Sequence, residues 1–149
     1  MKNIKTYKVI AILWAIWSLL HILPGVQGII YALGGDISSI QFLHPETHPA
    51  ALTNDYPKEV SAVLVVFGQH NFNLVWFGLV TLICSVLIWK KQNKIALLVA
   101  AIVAGLADLG ALFATFMIGS IDVWGTLIFL GTFLAIFLSY GIWKTKTIK

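Results

Sequence analysis

Apolar residues run through this chain in four long blocks, broken by lysine clusters and by one extended polar connection. A helix that crosses a bilayer needs about 20 mostly apolar residues, and all four blocks reach that length. They occupy 9–33, 69–89, 95–118 and 122–143. Lys2, Lys5 and Lys8 precede the first block. The second ends at Trp89, just before Lys90, Lys91 and Lys94, and the fourth ends at Trp143 before Lys144, Lys146 and Lys149. The short connections 90–94 and 119–121 predict antiparallel neighbours. The pattern therefore predicts an all-α, integral membrane four-helix up-down bundle, a single transmembrane domain over 1–149. The first block is too long for a signal-peptide apolar region, and no A-x-A-like site follows it, so it reads as a retained helix.

The long connection, about 34–68, carries turn chemistry at His44-Pro45, His48-Pro49 and Tyr56-Pro57. Beyond it, Asn54 or Asp55 is placed to cap a helix with Pro57 in its first turn and Glu59 close behind. As one helix, 58–89 would measure ~48 Å, longer than a ~30 Å hydrocarbon core. Either its outer part protrudes, or the chain breaks near Gly68-Gln69 and 60–67 lies at the interface.

Composition agrees with the pattern. Apolar residues make up 59% and charged residues 11%, against roughly half and a quarter in a soluble domain. That excludes a disordered tail and an ordinary cytosolic enzyme. The single cysteine, Cys84, excludes an internal disulfide or a CxxC redox pair. The ten basic residues are all lysine, and nine of them fall on one side of the predicted membrane, leaving Lys58 alone on the other. The positive-inside rule then puts both termini in the cytoplasm, the 34–68 loop outside, and the protein in the cell membrane. A lysine fringe facing lipid headgroups explains the net charge of +4 without a nucleic-acid partner. With no arginine and no Gly-rich phosphate loop or G-x-S-x-G, phosphate clamps and nucleotide chemistry are not expected.

Ionisable residues inside a spanning helix are expensive and usually face a bundle interior. Two occur here, His21 and Asp108. His21 stands 13 residues past Lys8 and Asp108 14 past Lys94, each roughly 20 Å into the membrane. An Asp at the level of an imidazole would fix its tautomer and favour the charged form of both. Such a pair can also simply tie two helices together. Trp14, Ser18, His21, Gly25 and Gly28 form one helical stripe, and Pro24 is expected to kink the helix beyond His21. Ala101, Ala104, Gly105, Asp108 and Thr115 form a second, and Gly125, Thr132 and Ser139 a third. Stripes of small residues usually mark packing seams.

A further polar group, Gln69-His70-Asn71-Phe72-Asn73 followed by Trp76, falls near the outer boundary. With Gln27 it suggests a vestibule wall, although solvated headgroup contacts would explain it equally well. His44 and His48 have i,i+4 spacing, but Pro45 and Pro49 argue against a helix there, so no metal site is assigned. The sequence specifies no cofactor.

The stretch Lys94 to Lys144 resembles the DoxX-like membrane proteins. The likeness lies in a short basic turn, Asp108-Leu109-Gly110-Ala111 within the third helix, a short outer turn, and a fourth helix ending in Leu138-Ser139-Tyr140. The resemblance implies redox or quinone-linked associations and carries over Asp108 alone. The first helix departs from it, with His21 where that family shows small residues and a basic one. Disulfide-forming and vitamin K epoxide reductases need paired cysteines, and glutathione-handling membrane enzymes need an arginine motif, so neither fits.

The functional expectation is an outward-opening intramembrane pocket for a lipid- or quinone-like molecule, mostly apolar with a few polar groups. Its ligand-binding residues would be His21, Asp108, Gln27, His70, Asn73 and Trp76. Proton- or ion-coupled transport through His21 and Asp108 is one alternative. A membrane enzyme with His21 as general base oriented by Asp108 is another, although no nucleophile accompanies them. The bilayer is the predicted partner, with a homo-oligomer or a membrane-complex subunit left open.

Overall fold

A computed structural model of the chain describes residues 2–38, 48, 53–118 and 123–144. The regular structure is helical: α1 (Lys2–Leu33), α2 (Pro57–Lys91), α3 (Lys94–Ile118) and α4 (Val123–Lys144). No strand occurs among the described residues. Each helix contains a segment long and apolar enough to cross a membrane. Helix is the natural state for such segments, because it satisfies every backbone N–H and C=O within the segment itself. The expected 119–121 turn, and Lys146 and Lys149 beyond the last helix, lie outside the described residues.

Local chemistry sets the ends. α1 runs through Pro24 and stops at a Gly-Gly pair. Gly35 adopts φ +73, a conformation that an L side chain would strain. The Asp36 N–H then donates to Tyr31 C=O at 2.9 Å and the Gly35 N–H to Ala32 C=O at 3.2 Å, the crossed pair of a Schellman cap. Asp36 Oδ1 next accepts the Ser38 N–H at 2.8 Å. The Ser38 side chain and backbone hold the Asp36 carboxyl below the usual carboxylate range.

α2 starts with Pro57 at its first position and Glu59 in its first turn, and the Val60 N–H donates to Tyr56 C=O at 3.0 Å. Asn54 and Asp55 belong to a preceding helical turn, so the chain enters α2 past Tyr56 and not from either expected cap. From there the helix continues unbroken for 35 residues, about 52 Å. It does not break at Gly68-Gln69. Only Gln92 and Asn93 separate α2 from α3. Gln92 takes φ 49, and Asn93 Oδ1 accepts the N–H groups of Ile95 and Ala96 at 2.9 and 3.0 Å. Asn93 is thus the N-cap of α3.

The chain divides into two compact units, Met1–Leu20 with Phe77–Lys149, and His21–Trp76. The first has a buried apolar centre of Ile10, Trp14, Ile88, Leu97, Ala100 and Ala104. There α3 and α4 pack together, and a Cβ built on Gly105 would stand 3.2 Å from Ile136 Cδ1. Ser85 Oγ donates to Ala11 C=O at 2.8 Å, joining α2 to α1. Ile83, Leu106, Phe133 and Phe137 are exposed, the arrangement of a protein whose outer surface meets hydrocarbon.

The second unit is built on close approach of α1 and α2. Gly25 lies against Asn71 C=O and Val75, Gly28 receives the Asn71 side chain, and Gly68 faces Ala32. As α1 advances from Gly25 to Ala32, its neighbours on α2 retreat from Val75 to Gly68.

Candidate functional site

Asp108, on α3 in the first unit, carries a buried carboxylate, 5% exposed. Its two oxygens share the indole N–H of Trp17, at 3.1 and 3.2 Å. A buried carboxylate needs such donors, because removing it from water without them would be prohibitive. Trp17 borders the polar stripe that the sequence suggests for α1 without being counted in it. It stands one turn before His21, and that spacing is the signal by which it could have been found. His21 itself is half-buried and belongs to the second unit, whereas Asp108 belongs to the first.

More polar groups are buried around the same part of α1. Ser18 Oγ donates to Trp14 C=O at 2.6 Å. Trp14 Nε1 and Thr81 Oγ1 are fully buried and have no hydrogen-bond partner among the described residues. Two contacts give the register of α1 on α2 here: the Lys8 ammonium lies 5.3 Å from the Trp89 ring centroid, and Ser85 bonds Ala11. One turn further in, that antiparallel register brings Trp14 and Thr81 to the same layer. On α4, Thr132 and Ser139 are buried but bond their own helix, at Ile128 C=O and Ala135 C=O. Gly125 is exposed. Thr132 and Ser139 therefore lie in a packing seam with their hydroxyls satisfied locally, and Gly125 is not part of it.

The remaining predicted site residues lie in the second unit. Gln27 is exposed and its amide donates to the Tyr31 hydroxyl at 3.0 Å. His70 is exposed, Asn73 half-buried and Trp76 exposed, and Trp76 Nε1 donates to Asn73 Oδ1 at 3.1 Å. Asn71, absent from the predicted site, is the buried polar residue of this group. Its amide donates to Phe67 C=O at 2.8 Å while its side chain fills the space at Gly28. Asn and Gly at facing positions of two apolar helices are the signal for that fit. His48 is exposed, and its expected companion His44 lies outside the described residues. Among the described residues, no three His, Cys, Asp or Glu side chains gather as a metal site would need.

An open groove of about 550 Å³ runs between α1 and α2 in this unit. Ile29, Ala32 and Leu33 form one wall, and Leu64, Val65, Gly68 and Phe72 the other, with Ser61 and Gln69 as polar members. None of the six predicted ligand-binding residues lines it. The small Ala32 and Gly68 let the two helices close at its base, and larger apolar side chains stand at its rim. Such a trough suits an extended apolar chain, and its volume falls within the roughly 300–1,000 Å³ of ligand sites. No protein-family model, curated protein or solved structure shows significant similarity to this chain.

Proposed function

We propose that this is a multi-pass membrane protein that binds a lipid- or quinone-like hydrophobic molecule in an outward-opening site. The observation that carries the reading is the groove of the second unit. It is mostly apolar with two polar side chains, and both of its walls belong to helices long and apolar enough to cross a membrane. In this reading the helices form an up-down bundle in the cell membrane, with both termini cytoplasmic and the 34–68 connection outside. Gln27, His70, Asn73 and Trp76 then form polar surface near the outer boundary.

Native mass spectrometry in mild detergent tests this. A lipid or quinone mass should be retained and should fall away when Val65, which is exposed on the groove, is changed to Trp. A bare protein mass after gentle extraction would overturn the proposal. A second reading, proton- or ion-coupled transport, draws on the burial of the Asp108 carboxylate within an apolar helix. Proton flux into proteoliposomes that vanishes in Asp108→Asn would favour it over simple binding.

A further inference from the structure

The lysine end of the first unit has no counter-charge of its own. Nine of the ten lysines belong to that unit. Its acids are Asp108, buried on α3 fourteen residues past Lys94 and so about 20 Å away along the helix, and Asp122, which follows the opposite end of α3. Residues 1–20, 77–107 and 123–149 contain no Asp or Glu. Lysines gathered without acids repel one another, so this end of the unit attracts anions from outside the chain.

One side of it has a defined geometry. Lys8 is exposed, and its ammonium stands 5.3 Å from the centroid of the Trp89 ring, which is itself exposed. A cation over an aromatic face is held by the ring's quadrupole, which keeps this charge at the seam between α1 and α2. Lys5, also exposed, lies one turn before Lys8 on the same face of α1. Towards the middle of the helices the surface turns apolar at once. Ile12 follows Lys8 by four residues and Val86 precedes Trp89 by three, so each continues the face of its helix. Both are about half exposed, and the buried Ser85–Ala11 bond closes α1 on α2 beneath them. Two cations, an indole of the kind that sits at headgroup level and a strip of hydrocarbon follow in that order along one seam.

We propose that this seam binds one anionic phospholipid of the bilayer, its phosphate at Lys5 and Lys8 and an acyl chain along Ile12 and Val86. All of these residues belong to the first unit, whereas the groove belongs to the second, so the site does not depend on a ligand in the groove. A soluble polyanion would meet the same cations but would leave the adjoining apolar strip uncovered, which favours the lipid.

The test is a native mass spectrometry titration of the full chain with dioleoyl-phosphatidylglycerol, dioleoyl-phosphatidylcholine and glycerophosphoglycerol, the first headgroup without its chains. We expect phosphatidylglycerol to be retained at about 25-fold lower concentration than phosphatidylcholine, about fivefold for each of the two lysines. Glycerophosphoglycerol should not be retained at those concentrations. Lys5→Gln with Lys8→Gln should remove the preference. Lys90→Gln with Lys91→Gln, the same change of charge at the same end, should keep most of it, and Val65→Trp in the groove should leave it intact. Equal retention of the two lipids, or of neither, would overturn the site. A preference lost equally in both lysine pairs would reduce it to the diffuse charge of that end, and one lost in Val65→Trp would move the lipid to the groove. Retention of glycerophosphoglycerol as firm as that of the lipid would make a free phosphate ester the occupant and overturn the lipid assignment.

Discussion

A carboxylate within an apolar helix has to be held by donors, and Trp17 supplies one to both oxygens of Asp108. Trp17→Phe keeps an aromatic ring and removes the donor, so the chain should lose about 1–2 kcal/mol of stability. Denaturant unfolding in detergent measures it, and an unchanged midpoint would show that the bond contributes nothing net. Thr81 predicts the opposite behaviour. Its hydroxyl is buried without a partner among the described residues, so the near-isosteric Thr81→Val should be neutral or stabilising. Marked destabilisation would reveal a bond to Thr81 made by a bound water. Asp108 was legible in the sequence because a charge is conspicuous among Leu, Ala and Val. That Trp17 donates to it was not legible, because Trp17 and His21 lie one turn apart on the same side of α1, and the level at which α3 meets α1, about 6 Å for four residues, is not fixed by apolar periodicity.

Between helices, the Asn71 side chain occupies the space where a Cβ on Gly28 would stand. Gly28→Ala puts a methyl where the Asn71 side chain sits and should cost about 1–3 kcal/mol through overpacking. Combining it with Asn71→Ala should recover part of the loss, a coupling that a double-mutant cycle reads directly. Strictly additive losses would mean that the two side chains do not compete for the same space. The caps carry a smaller prediction: Asn93→Ala, which strips two N–H groups of α3 of their acceptor, should cost about 1 kcal/mol. The helices themselves were readable from apolar block length. Their bounds were less so, because block length reports hydrocarbon contact and the helix continues wherever the backbone has no better partner. Thus α1 begins at Lys2, well before the first apolar block, and α2 begins at Pro57. The groove was not readable, since it arises from facing small residues, Ala32 and Gly68, on helices far apart in sequence.

Charge is divided unevenly along the chain. Five of the six acids, Asp36, Glu46, Asp55, Glu59 and Asp122, stand in or beside the 34–68 and 119–122 connections, whereas nine of the ten lysines stand at the opposite helix ends. With the proposed orientation, a membrane-impermeant maleimide applied to intact cells should label Ser38→Cys and spare Gln92→Cys in a Cys84→Ala background. The reverse pattern would invert the topology. The length of α2 has a further consequence. Even tilted by about 40°, near the limit seen for spanning helices, a rod of about 52 Å covers roughly 40 Å along the bilayer normal. Val63, Val65, Val66 and Phe72 are exposed on its outer half, so that excess length is greasy. A thin bilayer must therefore stretch locally around this helix or leave those side chains in water, and a thick one need do neither. Reconstituted with phosphatidylcholines of increasing acyl length, the protein should melt higher as the bilayer thickens, so that hydrophobic mismatch acts through α2 to sort the chain towards the thicker membranes available to it.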